Sequence, residues 1–458
     1  MGTTTAVAGS ASRHWLARVG LTTPERRAWA MYDWAVSAMQ TTVMVAVFPI
    51  FFVKVAGANT TPADATSSLA TANAVALIIM TLLSPPLGAI ADYFAVKKPL
   101  LLLFTIIGVV ACAGMFFIER GDLTLAWWLF LFALVGGTGC MVPYEGLLPH
   151  LAPPEDVDRV STAGYALGYV GGGVLLALNL AWIQKPEWFG LPHGQGLTPA
   201  QATLPARLAF LSVAAWWALF SIPILRRVKE PPRSREADEA TTAYSWVDPF
   251  RRLIETFGEL RSFRNLFLML IAFMLYNDGI QTIIKMATAY GTEIGIPSGA
   301  LIASILVVQF VGIPCTFLWG AIADRIGAKR SVFIGLLIYT VISIIGYYMK
   351  TATDFLILAG LVGLVQGGTQ ALSRSMFSSM VPPQKSGEFF GFFSVFEKFA
   401  GIFGPALFSL VIMLTGTSRG AIISVIAFFV AGAAVLARVN LADGVQAARA
   451  AEAGLRGR

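Results

Sequence analysis

Apolar residues occur along this chain in runs of about 20, the length an α-helix needs to cross the hydrocarbon of a bilayer. The runs lie near 28–53, 68–91, 99–118, 124–148, 161–183 and 205–225, then near 263–290, 298–323, 331–350, 354–380, 389–413 and 418–438. Six runs, one long polar stretch and six more runs predict an all-α integral membrane protein with twelve transmembrane helices in two six-helix halves. The expected divisions are an N-terminal half over 1–225, a linker over 226–262, a C-terminal half over 263–438 and a tail over 439–458.

The linker opens with Arg226, Arg227 and Lys229 and passes Pro231-Pro232. Beyond it Trp246, Phe250, Leu253, Ile254, Phe257 and Leu260 recur at helical spacing, and Pro249 suits a first helical turn. This pattern predicts an amphipathic helix lying on the cytoplasmic membrane surface.

Composition agrees with lipid as the main solvent. The 458 residues are 56% hydrophobic and only 13% charged, against roughly 25% charged in soluble proteins, and the mean hydropathy is +0.70. With both termini placed inside, 24 of the 33 Lys and Arg residues fall in inside loops and tails and 6 in outside loops. That asymmetry predicts cytoplasmic termini and a bacterial-type plasma membrane location. It also accounts for the net charge of +7 without a nucleic-acid partner. The first apolar run contains Tyr32-Asp33-Trp34 and is too long for a signal-peptide core.

Cys112, Cys140 and Cys315 lie in apolar runs without CxxC spacing, and His14, His150 and His193 avoid the middle of every run. Neither a metal site nor a haem site is expected. The chain lacks a GxxxxGK[ST] phosphate loop, a nucleophile elbow and a zinc motif. The expectation is a non-enzyme with no cofactor beyond a coupling proton or sodium ion. Its expected partners are a small solute and lipid, and its expected state is a monomer.

The halves repeat. Gly88-Ala-Ile-Ala-Asp92 recurs as Gly320-Ala-Ile-Ala-Asp324, and Gly136-Gly137-Thr138 as Gly367-Gly368-Thr369, at offsets of 232 and 231. Repeated halves around a midplane site are a transporter architecture. Gly320, Asp324, Arg325, Gly327, Lys329 and Arg330 together resemble the signature loop of the major facilitator superfamily. The first copy is degenerate: Tyr93 follows Asp92, Ala95 stands where Gly is usual, and only Lys97 and Lys98 remain. The resemblance implies a cytoplasmic gate at these residues, weakened in the first half. Ala30-Met-Tyr-Asp-Trp-Ala35, Tyr276-Asn277-Asp278-Gly-Ile-Gln-Thr282 and Gly367-Gly-Thr-Gln-Ala-Leu-Ser-Arg374 resemble the branch of that superfamily containing the fungal vacuolar amino-acid effluxers. Phe389-Phe-Gly-Phe-Phe-Ser-Val-Phe-Glu397-Lys398-Phe completes the match.

Ionisable groups at bilayer depth cost about 2.5–3.5 kcal/mol each on insertion scales and default to functional candidates. Asp33, Glu145, Asp278 and Glu397 face Lys285, Arg374 and Lys398. Ion pairs that staple helices together would explain any one of them. Four acids against three bases leave one carboxylate for a proton, a sodium ion or a cationic amine. Spacing strengthens the functional reading: Asp33, Ser37 and Gln40 share one helical face, as do Asp278, Gln281 and Lys285, and Gln366, Gln370 and Ser373 with Arg374 at its edge. Tyr144-Glu145 adds the fourth run, Tyr165 and Tyr169 the fifth, and Tyr32 and Asn277 adjoin the first and seventh stripes. Glu397 and Lys398 are helix neighbours about 100° apart, so each is expected to pair across to another helix. By resemblance the first, fourth, seventh and tenth helices line the central path.

The expected function is alternating-access transport of a small polar solute coupled to protons or sodium, with Asp33 and Asp278 as first choices for coupling or amine binding. The resemblance implies an amino acid or similar zwitterion. A cation–sugar symporter, a lipid or amphiphile transporter and a non-transporting membrane receptor are the rival readings.

Overall fold

The computed structural model describes residues 16–233, 248, 251, 253–255, 258, 263–400, 403–415 and 418–456. Every regular element among them is helical. In the first half α1 spans Pro24–Ala56, α2 Asp64–Tyr93, α3 Lys97–Phe117, α4 Leu123–Leu151, α5 Val157–Gln184 and α6 Pro199–Arg227. In the second, α7 spans Arg264–Glu293, α8 Ser298–Ile326, α9 Ala328–Tyr348 and α10 Ala352–Ser379. The eleventh apolar run is broken. Its helix α11 consists of Ser386–Phe399 and Phe403–Thr415, with Ala400 leaving helical geometry at ψ 68°. Eleven helices among the described residues are long and apolar enough to span a bilayer, and neither segment of α11 is one of them. The last crossing, α12, covers Arg419–Ala437, and α13 covers Leu441–Arg456.

Local chemistry sets the helix starts. The Thr23 hydroxyl accepts from the Arg26 N–H and Pro24 occupies the first turn. Thr198–Gln201 and Thr351–Asp354 form reciprocal capping boxes on α6 and α10. α1 widens into π-helix over Gln40–Ala46 and again over Phe52–Ala56, an irregularity that recurs at functional sites.

Each half has its own apolar core, one around Trp29, Phe48 and Trp217 and the other around Phe273, Tyr339 and Phe429. The halves meet where α5 packs on α8 and α10, and where α2 packs on α11. At the second crossing backbone meets backbone: a Cβ on Gly88 would lie 2.0 Å from the Gly387 carbonyl oxygen.

Polar contacts gather the loops onto one face. Arg26 at the start of α1 pairs with Asp156 between α4 and α5 at 2.8 Å. Arg449 of α13 pairs with Glu155 at 2.9 Å, and Tyr93 at the end of α2 donates to Asp248 of the linker at 3.0 Å. Arg159 donates to Asp324 at 2.9 Å. Both described ends, the linker and the α2–α3, α4–α5 and α8–α9 loops therefore share a single face, called here the terminal face.

The degenerate first copy of the loop still makes a contact between the halves, where the sequence reading expects a weakened clamp. Lys97 forms a buried ion pair with Asp92, and Asp92 Oδ2 accepts the backbone N–H of Glu388 from the other half at 2.9 Å. The missing Arg is replaced by a main-chain donor, which no side-chain motif records. The second copy of the loop is the exposed one. Asp324 reaches Arg159, while Lys329 donates to the Ala437 and Val439 carbonyls at 2.9 and 2.7 Å. Arg325 and Arg330 are exposed beside it. Lys98 contributes its backbone N–H, which donates to Glu230 at 2.8 Å. Burial pushes the Glu230 carboxyl above its usual range, against the opposing effect of those backbone donors. Trp246, Pro249, Phe250, Phe257 and Leu260 of the expected surface helix lie outside the described residues, whereas Ile254 is 74% exposed.

Candidate functional site

Between the halves lies a cavity of about 760 Å³. Its lining comes mainly from the parts of the helices remote from the terminal face. Examples are Gln40 and Met44 late in α1, Asn73 and Leu77 early in α2, Tyr290 late in α7, and Phe355 and Leu358 early in α10. The walls are mostly apolar, and apart from Lys285 the charges collect at the floor.

Of the residues singled out by sequence, Asp33, Ser37, Gln40, Glu145, Tyr165, Tyr169, Gln281, Lys285, Gln366, Gln370, Glu397 and Lys398 line this cavity. Glycines on α5 permit this arrangement on α1. A Cβ on Gly164 would sit 2.6 Å from Asp33 Oδ2, and one on Gly168 would sit 2.7 Å from Ser37 Oγ. The small residues let α1 and α5 approach closely.

Arg374 does not line the cavity; it is 1% exposed beneath the floor. It belongs to the second half but is held almost wholly by the first. Its Nε donates to Ser161 Oγ at 3.0 Å and its Nη2 to the Ser161 carbonyl at 3.0 Å. Asp33 Oδ2 lies 3.4 Å from its guanidinium and Glu145 Oε1 4.0 Å away. The rings of Tyr165 and Trp29 lie 4.3 and 4.9 Å from it. Such a guanidinium, paired and stacked, is a fixed counter-charge.

Tyr144 also lies below the lining. Its hydroxyl donates to Asp33 Oδ2 at 2.7 Å while its ring stacks on Trp29 at 4.6 Å. Tyr32 is directed into the first half, where its hydroxyl is 2.7 Å from Thr105 Oγ1. Asn277 is fully buried and accepts from Gln370 Nε2 at 2.6 Å. Asp278 departs furthest from expectation. It is 1% exposed, away from the lining, and packs against the second segment of α11, where a Cβ on Gly404 would lie 3.1 Å from its Oδ1. The α11 backbone at Gly404 covers the carboxylate.

The expectation that Glu397 and Lys398 each pair across to another helix fails for Glu397. Lys398 hydrogen-bonds Ser394 and reaches Ser84 of α2 at 3.4 Å. Glu397 lines the cavity with no ion pair or hydrogen bond among the described residues. Lys285 likewise lines it without an ion pair among them, exposed on the wall.

The lining is wider than four helices. Asn73 of α2, Ser304 and Gln309 of α8, Ser343 of α9 and Ile422 of α12 also border it. Sequence reasoning missed these because each is an isolated residue without a striped partner. Asn73 and Gln309 are nonetheless polar residues inside apolar runs, and that signal was available.

Comparison with known proteins agrees with this architecture. A family model described as vacuole effluxer Atg22 like matches residues 22–449. An uncharacterised MFS-type transporter, YxiO of Bacillus subtilis, is 36% identical over 418 residues, covering 91% of this chain and 95% of that protein. Autophagy-related protein 22 of Yarrowia lipolytica is 28% identical over 291 residues, covering 57% of this chain. The match spans about half (47%) of that fungal protein's length. Among solved structures, the proton:xylose symporter XylE superposes with a TM-score of 0.67 at 14% identity, covering 91% of this chain and 95% of that one. An outward-facing bacterial homologue of the iron transporter ferroportin superposes with a TM-score of 0.62 at 13% identity, covering 91% of this chain and 99% of that one. With its paired six-helix halves, central cavity and family match over nearly its whole length, the chain belongs to the Atg22-like branch of the major facilitator superfamily and is a membrane transporter, not an enzyme.

Proposed function

We propose that the protein is a proton- or sodium-coupled transporter of an amino acid or similar zwitterion, held here with its cavity facing outward. The observation that carries this reading is a pair of opposite charges in one cavity, neither of which forms an ion pair among the described residues. Glu397 of α11 is an acceptor for an ammonium, and Lys285 of α7, in the same half, is a donor for a carboxylate. Ser37, Gln40, Gln281, Gln366 and Gln370 supply neutral hydrogen-bonding groups between them. Asp33 and Arg374 neutralise each other at the floor and serve as its frame. The name vacuole effluxer carried by the family supports movement of a small solute. The basic-residue asymmetry supports a cytoplasmic terminal face in a bacterial plasma membrane. A monomer suffices, since both halves of the cavity come from one chain.

Uptake into proteoliposomes tests this reading, with labelled amino acids and labelled sugars as probes under imposed proton and sodium gradients. Amino-acid flux that falls at least tenfold in both Glu397→Gln and Lys285→Gln is the expected result. Sugar flux alone would overturn the zwitterion assignment, and the five glutamines of the lining (Gln309 with the four above) favour sugars as the next reading. Flux of a fluorescent lipid alone would assign the cavity to amphiphiles. Absence of flux for every probe, with binding retained, would favour a receptor.

A further inference from the structure

We propose that the linker is a working part of the closure at the terminal face: Glu230 is the positioning residue that holds Lys97 on Asp92, at the contact between the halves. The inference rests on the terminal face opening during transport and is independent of which solute crosses.

Lys97 stands at the seam. It is 3% exposed and pairs with one oxygen of Asp92, whose other oxygen accepts the Glu388 N–H of the second half at 2.9 Å. A Cβ on Gly146 of α4 would lie 3.4 Å from Lys97 Cε and 3.3 Å from Gly387 Cα of α11. The lysine stem is therefore seated where α4 and α11 meet. A buried lysine gives up more rotamer freedom than most side chains, so its place depends on how firmly its backbone is held.

The residues around Lys97 do not hold it locally. A helix start leaves N–H groups without intrahelical partners, and a Ser, Thr, Asn or Asp before the first turn commonly takes one of them. Before α3 that residue is Val96, which makes no side-chain cap. Pro99 has no N–H, and the Leu100 N–H donates to the Val96 carbonyl at 3.0 Å. The N–H groups of Lys97 and Lys98 remain, and both donate to Glu230 at 2.8 Å, one to each carboxylate oxygen. The cap that α3 lacks comes from the linker, 133 and 132 residues away in sequence.

The same linker grips the residue next to Asp92. Tyr93 is 1% exposed, with the Arg233 guanidinium 4.3 Å above its ring and Asp248 accepting from its hydroxyl at 3.0 Å. Pro231 and Pro232 stiffen the chain between Glu230 and Arg233. One strap thus fixes both sides of the short loop from Tyr93 to Lys97. These contacts join the linker to the first half alone, so they act by preorganisation: Asp92 and Lys97 are already placed when the second half approaches. Without Glu230 the first turn of α3 must order anew at each closure.

Spin-label distances between the α4–α5 loop and the start of α11 test this in the full-length protein in lipid, with no solute added. Glu230→Ala is expected to raise the ratio of terminal-open to terminal-closed protein roughly threefold or more, since two backbone positions lose their anchor. Glu230→Gln keeps one acceptor oxygen and should fall between Glu230→Ala and the wild type. It also provides the reading if Glu230→Ala folds poorly. Lys97→Met separates positioning from general loosening: adding Glu230→Ala to it should cause no further opening. Further opening by the full single-variant amount would overturn the proposal, because the linker would then act without Lys97. Unchanged distances in both Glu230 variants, with Asp92→Asn open, would also overturn it and leave the closure itself standing. Unchanged distances in Asp92→Asn as well would refute the terminal closure together with the linker's part in it.

Discussion

Asp92 and Asp324 occupy equivalent places in the two repeats, 232 residues apart, and each grips the opposite half by different chemistry. Asp92 is buried, paired with Lys97, and accepts the Glu388 N–H at the start of α11. Asp324 is solvent-accessible and binds the Arg159 side chain at the start of α5. The difference in burial sets an unequal division of labour. Removing one partner of a buried pair costs about 3–5 kcal/mol, whereas exposed pairs contribute roughly 0.2–1 kcal/mol. Asp92→Asn is therefore expected to open the terminal face and Asp324→Asn to do so only slightly. Spin-label distances across the α2–α11 crossing measure both. Equal shifts in the two variants would refute the asymmetry.

The same crossing depends on two glycines. A Cβ on Gly387 would lie 2.7 Å from the Gly88 carbonyl and 2.9 Å from Asp92 Oδ1. Neither neighbour is a flexible side-chain end, so α2 and α11 must move apart to admit a methyl group. Gly387→Ala is expected to make a cysteine introduced beneath the gate reactive from the terminal side, with the protein still folded. Unchanged labelling would mean the crossing does not seal the cavity.

Much of this architecture is legible in the chain, and the misses have physical causes. Apolar run length and the GAIAD repeat specify the halves, and helical spacing placed Ser37, Gln40, Gln281 and Gln366 in the lining. The same wheel argument failed for Asp278, because the second segment of α11 packs at Gly404 against the face that carries it. It also placed Arg374 in the path, whereas Ser161 and the rings of Trp29 and Tyr165 draw it below the floor. Those partners lie more than two hundred residues away in sequence, and no local pattern announces them. The first copy of the loop reads as weakened because the second donor to Asp92 is a peptide N–H.

Ala95 offers a test in which sequence and backbone agree. It stands where the second repeat has Gly327, and both adopt positive φ, 52° and 88°. A residue with a Cβ is strained in that region, by roughly 1–2 kcal/mol for the left-handed conformation. Ala95→Gly relieves that strain but loosens the unfolded chain, so a net gain of up to about 1 kcal/mol is expected. Gly327→Ala should lose more, because φ 88° with ψ 148° lies in a region essentially reserved for glycine. Thermal unfolding of the two variants in one detergent compares them, and a destabilised Ala95→Gly would contradict the backbone assignment.

Gly164 gives the most discriminating variant of the cavity floor. Its added Cβ would meet Asp33 Oδ2 at 2.6 Å, the Trp29 ring at 3.0 Å and Arg374 Nη2 at 3.2 Å. All three are locked: Asp33 by Tyr144, Trp29 by its stack on Tyr144, Arg374 by Ser161. None can swing aside, so the methyl group must push α5 away from α1 or break the Asp33–Arg374 contact. At Gly168, one turn along, the added Cβ meets Ser37 Oγ at 2.7 Å, a hydroxyl free to change rotamer. Gly164→Ala should therefore reduce flux at least tenfold while Gly168→Ala reduces it less than threefold, equivalent to about 1.4 kcal/mol or more against well under 1 kcal/mol. Matching expression and monodispersity of the two proteins would locate the loss in the floor rather than in folding. If Gly168→Ala proves the more damaging of the pair, close α1–α5 packing, and not the Asp33–Arg374 frame, is what transport requires.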